Sequence, residues 1–433
     1  MSIAVIVIAL VLMMMLTLKK VPVPVAALIS IAVMAIFTGC PVLTTLSGDY
    51  MEGMGAFIQA NWILLLMGCI LSKVMDMTGA ASAISSVIID KLGAKLMIPA
   101  IIIAGAVLAY GGINGLALCF ALYPIILDAF KKANFPRQII PAVLVASLFT
   151  WVMITPGSPV ICNAIASQML GTSSMSAPVI GFIAAGFVLI YSIVYFNIVL
   201  KKAAAKKEGF VSDQNVEQTL ARAEELKNSG NLPNVLLALV PLVAIVICYN
   251  VVHLELWVSM LVGTILCLVL LYKNINGLLG LLSQAVTEGS IMTVTAASVV
   301  GIGNVINAIP GFSDLMNGLV SAGVNSGAPL VIFAAVLIVL SFLFTAGMTG
   351  LQTALTVMSE PLMNMGVSAV ILHRIGIVAS AVLDCVPYAG GIVALFTMTG
   401  ISYKDGYKHV FMVSIIPMFL AVVISVVIGS VMY

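Results

Sequence analysis

Four short runs of glycine, proline and small polar residues interrupt otherwise apolar segments of the chain. They are Gly111-Gly112-Ile113-Asn114-Gly115, Thr155-Pro156-Gly157-Ser158-Pro159, Ala346-Gly347-Met348-Thr349-Gly350 and Cys385-Val386-Pro387-Tyr388-Ala389-Gly390. Glycine lets a backbone approach a ligand closely. Pro156, Pro159 and Pro387 remove helical donors and keep the chain from closing into continuous helix. A half-helix that starts after such a gap aims free N–H groups and its positive dipole end into it, which suits a carboxylate. Thr353 and several of the residues in and beside the runs add neutral hydrogen bonds. The expected substrate-binding set is Gly112, Asn114, Gly115, Thr155, Gly157, Ser158, Gly347, Thr349, Gly350, Gln352, Pro387, Tyr388 and Gly390. This is binding chemistry rather than bond-breaking chemistry.

Asp384 is the only acid well inside an apolar run, and it adjoins the fourth interruption. A carboxylate at membrane depth is costly when charged, so it is by default a candidate to take up and release a proton in coupling. The reading that stays open beside this is an acceptor capping half-helix amides. Arg374, after His373, could steer or clamp an anion, or snorkel at an interface. Glu288 reads as a residue of the cytoplasmic boundary, and His253 and His409 as interfacial. With no metal-ligand cluster, nucleotide-binding loop or Ser/His/Asp set in the sequence, neither a cofactor nor a metal is expected, and the chain reads as a non-enzyme.

The elements that must position these residues are helices in lipid. Apolar residues make up 62% of the 433, and charged residues only 8%, against about 25% in soluble domains. Runs near the length needed for a hydrocarbon core of about 30 Å recur throughout, and the alternation of a transmembrane barrel is absent. The fold class is therefore an all-α polytopic membrane protein. A net charge of +2 with no basic patch outside the loops argues against a nucleic-acid partner. The seven cysteines are scattered without a CxxC and read as packing residues. Residues 1–18 lack a basic n-region and read as a retained first helix.

Helices are expected near 2–18, 22–39 and 55–75, then an amphipathic stretch over 79–94. Interrupted segments follow at 97–130 and 137–170, and a helix at 176–200. After a polar linker, 201–233, helix-prone over Val216–Lys227, the plan recurs. Helices fall near 234–251, 255–272 and 289–309, an amphipathic stretch at 312–325, interrupted segments at 328–365 and 372–399, and a last helix at 408–431. Gly112 and Gly115 correspond to Gly347 and Gly350 at an offset of 235, and Pro156 to Pro387 at 231. The domains read as a first repeat, 1–200, the linker, and a second repeat, 234–433.

If 97–130 and 328–365 are re-entrant hairpins, each repeat crosses five times, and an odd count inverts the second against the first. The fold is then two inverted repeats, each of five transmembrane helices plus one hairpin, with broken helices at the midplane. With both termini outside, every one of the 18 Lys and Arg residues except Arg374 faces the cytoplasm, the bias expected of cytoplasmic loops. A hairpin that crossed fully would destroy it.

Some of these segments resemble the gluconate permease (gluconate:proton symporter) family of the ion-transporter superfamily. They are Tyr110–Gly115 running into Ala121-Leu122-Tyr123-Pro124, the stretch from Pro136-Arg137 to Pro141, and Thr155–Pro159. In the second half they are Leu383–Gly391 and Thr399-Gly400-Ile401-Ser402-Tyr403-Lys404-Asp405. The likeness covers essentially the whole chain. It is nearest to a branch linked to 3-hydroxybutyrate-like acids, whose members carry a His and an Asn where Tyr388 and Ala389 stand. The resemblance implies proton-coupled uptake of a small organic anion across a bacterial inner membrane by an elevator-type movement. It also implies a homodimer, with the early helices of each repeat as scaffold.

The expected function is thus symport of a small (hydroxy)carboxylate such as gluconate or 3-hydroxybutyrate with H+. Sodium coupling is the alternative, since carbonyls at the interruptions could hold Na+. A cation/proton antiporter would want more deep acids than Asp384. A channel would not need paired hairpins. The other expected partner is membrane lipid.

Overall fold

The structure is a computed structural model that describes residues 2–19, 21–80, 83–84, 96–111, 115–212, 217, 233–272, 277–309, 318, 328–343, 347–387 and 389–432. The amphipathic stretches expected over 79–94 and 312–325, and the helix-prone part of the linker, lie largely outside these residues. Among the described residues the chain is helical and has no strand.

The first half builds α1 (Ser2–Leu18), α2 (Val23–Thr38) and α3 (Met51–Met77), then α4 (Met97–Tyr110) and α5 (Gly115–Ala133). It ends with α6 (Ile140–Leu148), one turn at Trp151–Ile154, α7 (Ile161–Leu170) and α8 (Pro178–Ala205). The second half builds α9 (Val235–Asn250), α10 (Leu256–Leu270), α11 (Leu278–Ala308), α12 (Pro329–Leu343) and α13 (Gly347–Asn364). It closes with α14 (Ala369–Ser380), α15 (Gly390–Thr399), α16 (Tyr403–Val413) and α17 (Ile415–Met432). Among the described residues, five helical stretches are long and apolar enough to cross a membrane: Val42–Met75, Arg137–Ile154, Pro178–Ala205, Leu278–Ile306 and Tyr403–Met432. Shorter apolar helices fill in around them.

Two of the expected helices begin earlier than their hydropathy suggests. The run into α3 starts at Val42 and passes through a π-helical turn at Leu46–Tyr50, and α11 starts at Leu278 rather than near 289. Glycines and polar residues over 47–55 and 280–289 dilute the apolar signal there, yet Gly53, together with Gly301 further along α11, packs the two helices closely. A Cβ on Gly53 would stand 2.5 Å from that of Asn304, and one on Gly301 would stand 2.8 Å from the Tyr50 carbonyl oxygen. Asn304 Nδ2 donates to the Asp49 carbonyl at 2.6 Å. Gly289 in turn faces Leu66 and Cys69. Numbers rise along α3 as they fall along α11, so the two long helices are antiparallel.

The last helix, expected from 408, is preceded by α16, whose start Ser402 caps: its Oγ accepts from Asp405 N at 3.2 Å. A Ser three residues ahead of an acid is a helix-start signal, because the hydroxyl satisfies an otherwise orphaned amide.

Buried apolar side chains form two clusters. One joins α4, α5, α6, α10, α15 and α16, and the other joins α1, α2, α7, α12, α13, α14 and α17. Each cluster mixes elements from both halves. α7 packs on α13 and α14, while α15 packs on α5 and α6, so the two halves exchange the ends of their interrupted helices.

A side chain at Gly301 must displace the Tyr50 backbone, an overpacking cost of about 1–3 kcal/mol or more. Gly301→Val should lower the detergent melting temperature by several degrees, whereas Gly186→Ala, with open space around it, should not. Equal melting of the two variants would refute the close α3–α11 packing.

Candidate functional site

Proline chemistry explains why the first broken helix opens where it does. Pro156 and Pro159 supply no N–H and disfavour helical geometry in the residues before them. Thr155 is extended (φ −68°, ψ 131°), and Gly157 takes a left-handed φ of +76° that glycine alone adopts without strain. α7 then starts at Ile161 with no side-chain cap. In the second broken helix, residues 381–387 form irregular turns, and α15 starts at Gly390, again with no side-chain cap.

The carbonyls released by these breaks are claimed by side chains from other elements. In the first break, Arg374 Nη1 donates to Ile154 O at 3.3 Å, Tyr110 Oη to Pro156 O at 2.7 Å, and Asn163 Nδ2 to Ser158 O at 2.7 Å. In the second, Tyr407 Oη donates to Cys385 O at 3.2 Å and Tyr403 Oη to Pro387 O at 3.0 Å. Five acceptors are thus tied to protein donors, and the starts of α7 and α15 carry no side-chain cap. Ser158 Oγ and Thr349 Oγ1 are buried and have no hydrogen-bond partner among the described residues, an arrangement that costs stability unless something fills it.

Each of two helix starts abuts a broken helix. A Cβ on Gly115, first residue of α5, would stand 2.9 Å from the Phe149 ring, and one on Gly347, first residue of α13, 2.5 Å from Ser380 O. Gly347 N donates to Asp384 Oδ1 at 3.1 Å, so this carboxylate caps α13. Cys162, in the first turn of α7, lies beside Ser380 and Asp384, as the packing of α7 on α13 and α14 requires. The beginning of α7, the beginning of α13 and the second break therefore meet at Asp384.

Of the expected binding residues, Thr155, Gly157 and Ser158 line the first break. Gly347 meets Asp384 directly, and Thr349 and Thr353 lie on the buried side of α13. Gly350 has no room for a side chain: a Cβ there would stand 2.6 Å from Ser341 Oγ. Pro387 is half-buried in the second break, and Gly390 begins α15. Gln352 lies on the exposed side of α13 and is not brought to the others. Gly112, Asn114 and Tyr388 lie outside the described residues.

Arg374 and His409 are not interfacial. Arg374 is fully buried, and besides Ile154 it donates through Nε to Ser176 O at 2.9 Å and through Nη2 to Ser174 O at 2.7 Å. His409 is buried against Tyr195, Nδ1 to Oη 2.7 Å. His253 is exposed.

The bracing groups Tyr110, Asn163, Tyr403 and Tyr407 had no part in the expected site. Their partners are 46 and 16 residues or more away in the case of Tyr110 and Tyr403, beyond local pattern. Asn163 did carry a signal, a buried amide within an apolar helix. It also accepts from His373 Nε2 at 3.2 Å, while His373 Nδ1 lies 2.7 Å from Thr172 Oγ1. Because Asn163 Nδ2 is committed to Ser158 O, its Oδ1 faces the imidazole, which fixes the Nε2–H tautomer and makes Nδ1 the acceptor from Thr172.

No family model matches the chain. It is 28% identical over 420 residues, 87% of each chain, to the Bacillus subtilis (strain 168) protein named "Uncharacterized transporter YxjC". It is 27% identical over 374 residues, 84% of each, to an "Uncharacterized transporter" of Haemophilus influenzae. These relatives support a transport role, and with the membrane-capable helices they indicate a multi-pass membrane protein.

Removing His373 strands Asn163 Oδ1 in the core, at about 1–3 kcal/mol for a buried polar group left unpaired, and takes the partner of the half-buried Thr172 Oγ1. His373→Leu should therefore melt at a clearly lower temperature, although leucine is the more apolar residue. A variant as stable as the parent would mean that this chain of hydrogen bonds contributes nothing.

Proposed function

We propose that this protein is a secondary active transporter that takes up a small organic (hydroxy)carboxylate, such as gluconate or 3-hydroxybutyrate, by proton symport. The observation that carries the reading is the polarity of the breaks. Five of their carbonyls are held by Arg374, Tyr110, Asn163, Tyr407 and Tyr403, while helix starts and the hydroxyls of Ser158 and Thr349 are left. A site where helix starts and hydroxyls can donate beside tied carbonyls suits an anion. It suits a sodium ion, which needs oxygen ligands, less well.

Asp384 is the coupling group in this reading. As a carboxylate it caps the start of α13 through Gly347; on protonation the charge–dipole part of that interaction goes, which loosens α13 from the second break. One proton and one anion then cross together. Thr155, Gly157, Ser158, Gly347, Thr349, Gly350, Pro387 and Gly390 form the anion site, joined by Gly112, Asn114 and Tyr388.

The architecture proposed is two inverted repeats, 1–200 and 234–433, joined by a cytoplasmic linker, with α4–α5 and α12–α13 as re-entrant hairpins. Antiparallel α3 and α11, the third long helices of the two halves, support it. So does the recurrence of Gly115 against Phe149 as Gly347 against Ser380, at offsets of 232 and 231. Membership of the gluconate permease family, a homodimer built on α3 and α11, elevator-type movement and a bacterial inner-membrane location with both termini outside complete the reading.

In proteoliposomes, uptake of radiolabelled gluconate or 3-hydroxybutyrate should rise at least severalfold with an inward proton gradient. Asp384→Asn should abolish that pH dependence. Uptake indifferent to the proton gradient and driven by sodium would overturn proton coupling, and no uptake of any carboxylate in a panel of hydroxy, keto and sugar acids would overturn the anion assignment.

A further inference from the structure

Four of the five tied carbonyls are held by neutral donors: three tyrosine hydroxyls and one asparagine amide. Tying a carbonyl therefore does not require a charge. The remaining one is held by Arg374, which is fully buried and whose guanidinium reaches three carbonyls, Ile154, Ser174 and Ser176. These bonds partly replace its hydration but do not neutralise it. Among the described residues no carboxylate forms an ion pair with Arg374, and its titratable neighbours are Tyr110 and His373, neither of which is negative near neutral pH. A buried charge without a counter-charge is among the costliest features a fold can carry.

The guanidinium stem lies against the first break. At Gly181 a Cβ would stand 2.5 Å from Pro156 Cγ and 3.0 Å from Arg374 Cδ, so α8 is held to bare backbone where it covers both. Tyr110 connects the same point to the end of α4. The charge is thus fixed beside the break, in a medium where water screens it little.

We propose that Arg374 is a positioning residue that supplies the site's fixed positive charge. It turns the Ile154, Ser174 and Ser176 carbonyls toward itself, and its charge is balanced by the transported anion rather than by a side chain. The inference rests on the anion reading above and adds to it the source of charge selectivity. Without this charge, affinity for a carboxylate should fall on the order of tenfold, as expected for one charge acting over about 12 Å at an effective dielectric near 20.

The test compares Arg374→Lys with Arg374→Gln in purified protein, using binding of radiolabelled gluconate and 3-hydroxybutyrate, with folding checked by gel filtration and melting. Lysine keeps the charge but loses the three-way fork, whereas glutamine keeps an amide donor and loses the charge. At pH 6 the lysine variant should bind about tenfold more tightly than the glutamine variant. A buried ammonium, unlike a guanidinium, can lose its proton in an accessible pH range. The ratio of lysine-variant to wild-type dissociation constants should accordingly climb between pH 6 and pH 10, and this series decides the matter alone if the glutamine variant does not fold. Equal binding by the two variants, or a ratio flat with pH, would reduce Arg374 to a clamp and overturn the proposal while leaving the anion reading intact. Failure of the wild type to bind either acid would instead overturn the anion reading, and this inference with it.

Discussion

Backbone polar groups that leave a helix inside an apolar medium must find partners, and this requirement shapes the protein. In lipid an unmet carbonyl or amide costs several kcal/mol, so every break must be surrounded by groups able to repair it. Here the repair comes from distant elements. Tyr110 arrives from the end of α4, Arg374 and His373 from α14, and Tyr403 and Tyr407 from α16. The packing that brings those elements to the breaks, with α7 set on α13 and α14 and α15 set on α5 and α6, follows from the same need.

The repair is asymmetric in chemistry. Five carbonyl acceptors are tied to side-chain donors, and the starts of α7 and α15 carry no side-chain cap, which in the proposed anion reading gives the breaks a preference for negative charge. Asp384 and Arg374 act on that preference in opposite senses. The carboxylate occupies the start of α13, in the manner of a stand-in for an anionic ligand, while the guanidinium adds positive charge at the first break. In the symport proposed above, such a site would bind an anion best when Asp384 is neutral, tying anion and proton together without any direct contact between them.

Much of this was legible in the sequence. Gly/Pro interruptions in apolar runs located the breaks because proline and glycine act locally, whatever surrounds them. Asp384 stood out for the same reason. The early starts of α3 and α11 were hidden because glycines and polar residues over 47–55 and 280–289 lower hydropathy, although the lack of a side chain at Gly53 and Gly301 is what lets two long helices meet closely. For Arg374 the sequence left an anion clamp and a snorkelling residue both open, because charge counting sees only sidedness; the three carbonyls that bury it come from a turn and a loop some 200 residues earlier. The tyrosines at the breaks were missed for a similar reason, since a hydroxyl in an apolar helix does not announce its partner.

The central claim is that a carboxylate is held where the starts of α7 and α13 meet the two breaks. The most direct measurement is an experimentally determined structure of the protein in lipid nanodiscs with a bound, transported carboxylate. The account predicts density for the carboxyl group within hydrogen-bonding distance, about 3 Å, of Ser158 or Thr349 and of helix-start amides. Density for the anion at the α3–α11 contact, or on the cytoplasmic linker with the breaks empty, would contradict it.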